Sequence, residues 1–301
     1  MTANGINGTP DLQEIHDFLI DLATRAGEII TGAKPLVNSV DSKKNTSDLV
    51  TEYDRAVESM ISTELRSRYP HYEFMGEETY SPSKPLTNAP TFIVDPIDGT
   101  VNFVHSFPNS CISLGFAINR RPTVGVVYNP FTKLLYSAIA GRGAYRNRTE
   151  KLPLKGDAVE PLKGLGSALI AVEWGSDRHG QNWDTKIRTF EQLGKRREEG
   201  GAMVHSMRSM GSAALNLCAV AAGVIDLYWE GGCWAWDVCA GWVILTEAGG
   251  MIVDGNPGNW EGQLDGRQYL AVRAAPGGQG QKEIIQELWG HMQGTFDYTT
   301  K

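Results

Sequence analysis

Cysteine is scarce in this chain: Cys111, Cys218, Cys233 and Cys239 are the only four. None forms a CxxC pair, and none stands with histidine at a zinc spacing, which argues against a structural zinc or redox motif. Buried thiols in a reducing compartment are the expectation, and with them a cytoplasmic location. No apolar run approaches the ~18 residues of a membrane span. The opening "MTANGINGTPD" has neither a basic nor an apolar leader segment and is expected to fray. Positive charge is also short. A formal net charge of −7 leaves no global basic field for nucleic acid or an anionic membrane. A phosphorylated substrate stays open, because a bound divalent cation inverts the local sign. Several hydrolase signatures are missing too: there is no GxSxG, no HCx5R-like loop and no GxxxxGK[ST]. The six histidines are scattered, and each reads as a surface or core residue. No repeat or low-complexity linker occurs.

What is present is ordinary for a globular protein: 301 residues, 41% hydrophobic and 21% charged, enough for one large domain or two intimate halves. Leu12, Ile15, Leu19, Leu22, Ala26, Ile29 and Ile30 share a helical face. A polar loop or hairpin over 36–48 follows, then a helix over 51–70 with Thr51 as N-cap and Asp54 three residues on. Short strands are expected at 72–76 and 91–95, and an antiparallel meander over 110–147. A second unit starts near 159. It holds strands at 168–175, 224–230, 251–254 and 269–275, and helices at 184–195, 209–223 and 236–250. The division is 1–158 and 159–301, acting as one catalytic unit. Helices segregated from largely antiparallel sheets imply a layered α+β fold.

The stretch "FIVDPIDGTVNF" (92–103) drives an apolar strand into Asp95 and Asp98, with Pro96 between them and Gly99 and Thr100 next. Two carboxylates this close repel unless a cation or strong donors hold them. Oxygen ligands favour Mg²⁺, Mn²⁺ or Ca²⁺. If "TVNFVH" begins a helical turn, the Gly99 and Thr100 amides form an anion site beside that cation. The plain alternative is that "DPIDG" simply ends a strand, since Asx-turns are common. Other carboxylates shift the balance. Glu77 and Glu78 follow a strand in "FMGEE", Glu230 ends another, and Asp237 opens the next helix. Capping alone accounts for Asp54 and Asp237 taken singly. Three strand-end carboxylate groups beside glycines are harder to set aside together. Trp229, Trp234, Trp236 and Trp242 read as core and interface packing.

"GEE" (76–78), "DPIDGTVNF" (95–103) and "WDVCAGWVILTEAGG" (236–250) resemble the signatures of the inositol monophosphatase family, above all its fungal members. The resemblance runs from "SDLVTEYDRAVE" (47–58) to "YLAVRAA" (269–275). Val101 departs from the threonine usual in the animal enzymes. The resemblance implies an αβαβα sandwich, a homodimer, lithium sensitivity and two or three Mg²⁺ ions. Glu77, Asp95 and the Ile97 carbonyl would hold the first ion, and Asp95, Asp98 and Asp237 the second. Glu77 with water would complete a third, weaker site. Thr100 would orient the attacking water with Asp54 as its partner. The Gly99 and Thr100 amides would cradle phosphate. Gly211, Ser212 and Ala213 would line the sugar side, and Glu230 would accept from inositol hydroxyls. Lys43 would approach from a flap, or simply be a solvated loop lysine. The expected reaction is hydrolysis of myo-inositol monophosphate. Alternatives are another small phosphate (a nucleotide 3′-phosphate, fructose bisphosphate, histidinol phosphate), a role in quinate use, or a silent binding protein.

Overall fold

The computed structural model describes residues 10–33, 41–42 and 49–298. The first element is α1 (Leu12–Gly32), whose N-cap Asp11 accepts from the Gln13 and Glu14 amides at 3.0 and 3.1 Å. Ile15, Leu19, Leu22, Ala26 and Ile30 are buried as the period demands, but Ile29 is 36% exposed. One residue short of Ile30, it is turned about 100° off the apolar stripe. The pair β1 (Asp41–Ser42) and β2 (Leu49–Val50) is an antiparallel ladder. Most of the 36–48 loop, Lys43 included, lies outside the described residues, as does the opening decapeptide up to residue 9.

Next come α2 (Glu52–Arg68), β3 (Glu73–Gly76), β4 (Thr91–Asp98), the short α3 (Thr100–Val104), β5 (Cys111–Ile118), β6 (Arg121–Asn129), β7 (Leu134–Ile139), β8 (Ala144–Arg146) and β9 (Glu150–Lys151). Strands β3 to β9 form one sheet in sequence order, antiparallel except for the β3–β4 pair. After β10 (Leu169–Val172) and α4 (Gly180–Gly194) follow β11 (Ser206–Arg208), α5 (Ala213–Ala222), β12 (Leu227–Gly231), α6 (Ala235–Glu247), β13 (Met251–Asp254), β14 (Gln268–Val272) and α7 (Gln281–His291). Their strands form a second sheet in the order β11-β10-β12-β14-β13. The sheets are largely antiparallel as expected, but here β10 runs parallel to both β11 and β12. The crossovers through α4 and α5 supply the length that parallel neighbours require. Helix α4 begins at Gly180, four residues before the expected start, and β11 and α7 were not anticipated.

Three apolar clusters show how the layers stack. Helices α1 and α2 cover one face of the seven-stranded sheet. The small-residue helices α5 and α6 fill the space between the two sheets. Helices α4 and α7 cover the far face of the five-stranded sheet. The result is the αβαβα sandwich. Its middle layer is held unusually close by glycine. A Cβ at Gly115 would sit 2.5 Å from Cys239 Sγ, and one at Gly125 would sit 2.4 Å from the Ala240 carbonyl oxygen. On its other side α6 presents Gly241 to Leu217 of α5, where a Cβ would come within 2.6 Å. Helix α6 therefore lies almost directly on strand backbone. That fixes its N-terminus against the end of β4. All four cysteines are free and buried. Among the described residues no helix is long and apolar enough to cross a membrane.

Candidate active site

Strand β4 does not stop at Asp95 but continues to Asp98 with an irregularity. Asp95 pairs with Ser113 and Asp98 with Cys111, so three residue steps oppose two. In a regular strand, residues three apart face opposite sides. One extra residue, a bulge around Pro96, turns both aspartates to the same side. There they meet Asp237, from the first turn of α6, and one carboxylate oxygen of each lies within 4.8 Å of the others.

Each of the three has a protein donor on one oxygen. The Ile97 amide donates to Asp95 Oδ1 at 2.9 Å, and the Trp234 amide to Asp237 Oδ2 at 2.7 Å. Asp98 Oδ2 accepts from Ser212 Oγ at 2.6 Å and from the Ala214 amide at 2.7 Å, which places it at the N-terminus of α5. These bonds do not neutralise the crowding. Burial first, then the charges of Glu77, Asp98 and Asp237, hold the Asp95 carboxyl well above its usual range. Burial, then Asp98 and Glu77, does the same to Asp237. Burial pushes Asp98 up to about 6 against the pull of Ser212 and the α5 amides. Such a hard, oxygen-only donor set, electrostatically unfavourable by itself, fits a divalent cation of the Mg²⁺ class. Glu77 stands outside the tight triad, but its carboxylate lies against Asp95.

Beside the triad the chain turns sharply. Gly99 has φ +91°, and a Cβ there would meet the Gly211 and Asn109 carbonyl oxygens at 2.9 and 3.0 Å. Thr100 opens α3, with Oγ1 3.0 Å from the Ile97 carbonyl oxygen and 3.3 Å from Asp54 Oδ1. Asp54 is fully buried and accepts from the Thr51 amide at 2.8 Å and from the Thr51 hydroxyl. It completes the expected capping box and reaches Thr100 as well. Burial pushes its carboxyl up to about 6, against the Thr51 bonds.

A cleft of ≈ 660 Å³ opens onto these groups. Glu77, Asp95, Ile97, Asp98, Gly99, Thr100, Gly211, Ser212, Ala213, Glu230 and Asp237 all line it. Asp54 lies behind Thr100. Ser212 is only 2% exposed and its hydroxyl is committed to Asp98, so its contribution is to hold that aspartate. Glu230 accepts from the Tyr228 hydroxyl, and burial, then the nearby Glu173, raises it to about 7. Of the four tryptophans, Trp234 and Trp236 stack at 5.1 Å and form part of the cleft wall, while Trp229 is core.

Residues 11–293 match the model of the inositol monophosphatase family. The chain belongs to the inositol monophosphatase family. It is 46% identical over 293 residues to inositol monophosphatase 2 of Saccharomyces cerevisiae, covering 95% of this chain and 98% of that one. The solved inositol monophosphatase from Anabaena (Nostoc) sp. PCC 7120 has a TM-score of 0.73 at 28% identity, covering 94% of this chain and 96% of that one. The inositol monophosphate-bound SaIMPase-II has a TM-score of 0.67 at 28% identity, covering 92% of this chain and 95% of that one.

For this member of the family, sequence reasoning missed the groups that brace the site. Glu173, at the end of β10, accepts from Ser209 Oγ (2.8 Å), the Met210 and Gly211 amides (2.7 and 2.9 Å) and Asn216 Nδ2 (2.8 Å). Asn102 Nδ2 grips the other side of the same loop, donating to the Met210 carbonyl at 2.7 Å. Glu58, one turn beyond Asp54, accepts from the Glu78 amide at 2.7 Å and fills the space a Cβ would need at Gly76. The signal for Glu173 was available, since a carboxylate at a strand end before a glycine-containing turn is the pattern that singled out Glu230.

Proposed function

We propose that this phosphatase hydrolyses myo-inositol monophosphates to myo-inositol and phosphate in a Mg²⁺-dependent reaction. The observation that carries the reading is the meeting of three carboxylates within 4.8 Å beside the Thr100–Asp54 contact. Asp95, Asp98 and Asp237, with Glu77 and the Ile97 carbonyl, would hold two or three Mg²⁺ ions. When bound, the ions supply charge neutralisation at the phosphoryl oxygens and acidify water.

The chain's own groups orient the rest. Near neutral pH an ionised Asp54 draws the single Thr100 proton, which leaves the Thr100 lone pairs to accept from the attacking water and aim it at phosphorus. The Gly99 and Thr100 amides donate to phosphate oxygens at the left-handed turn. The water oxygen bonds to phosphorus and gives up one proton to solvent as the P–O bond to the ring breaks in line, and the departing alkoxide takes one proton back from solvent, leaving myo-inositol and phosphate. Glu230, facing the cleft beyond the phosphate, accepts from ring hydroxyls, with Gly211 and Ala213 leaving room for the ring. A cytoplasmic homodimer inhibited by lithium completes the reading.

One observation favours a second substrate class. Phe107 and Trp174 line the cleft while 53% and 41% exposed, a rim on which a nucleoside base would stack.

The test is phosphate release from inositol 1-phosphate and from adenosine 2′- and 3′-phosphates, with Mg²⁺, with EDTA and with lithium. Mg²⁺-dependent, lithium-blocked release from the inositol ester is expected. Release from the nucleotides alone moves the substrate. No release from any of them overturns the reading.

A further inference from the structure

The family match ends at residue 293, yet the described chain continues to Tyr298 and packs against Gly231 and Gly232. Two asparagines hold this tail by its backbone. Asn256 accepts from the Phe296 amide at 2.7 Å and donates to the Phe296 carbonyl at 3.0 Å. Asn182 accepts from the Asp297 amide at 2.7 Å and donates to the Asp297 carbonyl at 2.9 Å. Each side-chain amide thus mimics a strand partner for one residue, which makes a short extended segment rigid without a sheet.

So anchored, the tail puts two aromatic rings under Gly231 and Gly232, the residues that lead from Glu230 towards Asp237. Phe296 stacks on Trp229 at 4.9 Å and occupies the space of a Gly231 Cβ, which would fall 2.9 Å from its ring. Tyr298 lies beneath Gly232, which has φ +111°. Arg267 links Tyr298 to Trp234, which lines the cleft. Its guanidinium lies 3.6 Å from the Trp234 ring centre on one side and 4.9 Å from that of Tyr298 on the other. It also donates to the Gly232 carbonyl at 3.0 Å, and the Gly232 amide donates back to the Arg267 carbonyl at 2.7 Å. Trp234 is the residue whose amide fixes Asp237.

We propose that the C-terminal segment 295–298 is a positioning element of the active site. Tyr298, through the Tyr298–Arg267–Trp234 stack, holds the loop that carries Glu230 and Asp237. Displacing the Tyr298 ring takes away one support of the guanidinium, which loosens its hold on the Trp234 ring and so on the amide that fixes Asp237. The proposal rests on the phosphatase reading for its kinetic arm but not for its cation-binding arm.

The experiment compares full-length wild type with Tyr298→Ala, Tyr298→Phe and Arg267→Lys, reading Mg²⁺ affinity by calorimetry and KM against kcat with inositol 1-phosphate. Loss of support behind a cation ligand weakens affinity about tenfold, and that loss is expected for Tyr298→Ala. KM should rise with it, while kcat at saturating Mg²⁺ and substrate changes little. Tyr298→Phe is expected to match wild type, because the Tyr298 hydroxyl has no hydrogen-bond partner among the described residues. A Tyr298→Ala protein with a lowered melting temperature but unchanged Mg²⁺ affinity and KM overturns the proposal. If that variant does not fold, Arg267→Lys decides, since it keeps the charge and removes the planar group. Wild-type Mg²⁺ affinity in Arg267→Lys would then sink the idea. Should wild type bind Mg²⁺ but leave inositol 1-phosphate intact, the substrate reading fails and the calorimetric comparison still stands.

Discussion

Replacing Asp95 by asparagine should make the metal-free protein more stable while abolishing its response to Mg²⁺. Asparagine keeps an oxygen for the Ile97 amide, which now donates to Asp95 Oδ1 at 2.9 Å, so the bulge survives. What is lost is one of three negative charges whose oxygens lie within 4.8 Å. At that separation and an effective dielectric constant of about 20, each ionised pair repels by about 3 kcal/mol. Protonation of one partner relieves much of this in the wild type, leaving a gain of about 1–2 kcal/mol for the variant. With Mg²⁺ the order reverses. A ligand at a hundredfold excess over Kd adds about 2.7 kcal/mol to the wild type. For a chain of this length that raises the melting midpoint by about 5 °C. The assay is thermal unfolding of both proteins in EDTA and in Mg²⁺, with phosphate release measured alongside. In EDTA the variant should melt above wild type; in Mg²⁺ it should fall below and show no turnover. A variant less stable than wild type in EDTA would refute the repulsion argument. A full Mg²⁺-induced rise or retained activity would refute the assignment of Asp95 to the cation.

Two further predictions rest on the same geometry. Asp54 and Asp98 have folded-state values near 6 against an unfolded value of 3.8. The stability tied to their protonation is therefore full below about 3.8 and lost as pH rises through about 6. The protein in EDTA should melt higher at pH 5.5 than at pH 7.5, and a flat or opposite trend would contradict the burial argument. Gly125→Ala places a methyl 2.4 Å from the Ala240 carbonyl oxygen and 2.6 Å from Val243 Cγ1. The strain should cost about 1–3 kcal/mol in urea unfolding and lower turnover by shifting α6; an unchanged midpoint and rate would show that the seam is softer than its distances imply.

Much of the candidate site was legible because its residues cluster in two short motifs. "DPIDGT" put two aspartates, a left-handed glycine and a threonine within six positions, and "WDVCAG" put the third aspartate at a helix start. Residue type alone pointed to a cation beside an anion site, and the individual roles came from the family resemblance. The bracing groups were harder to see. Glu173 carries the strand-end pattern that marked Glu230, but nothing local shows that it and Asn102 grip the 209–211 loop until that loop folds back. Ser212 was expected on the sugar side, yet its hydroxyl faces Asp98, a direction that spacing does not encode. Most strands were found by their β-rich runs, though not the three-residue β11, and the parallel pairing of β10 was not, because orientation is set by the crossover and not by the strand. Ile29 shows the limit of periodicity, being apolar and one position off the buried stripe. Gly115, Gly125 and Gly241 carry no signal in the sequence of the close backbone contacts they permit in the fold.

The three aspartates come from distant parts of the chain: two from the bulged end of β4 and one from α6, brought together only when α6 settles on the glycines of the first sheet. A chain still emerging from the ribosome, complete through the first sheet but lacking α6, holds two of the three and has no closed cage for a divalent ion. The three-carboxylate cluster therefore assembles only once residues 235–247 have packed onto the first sheet.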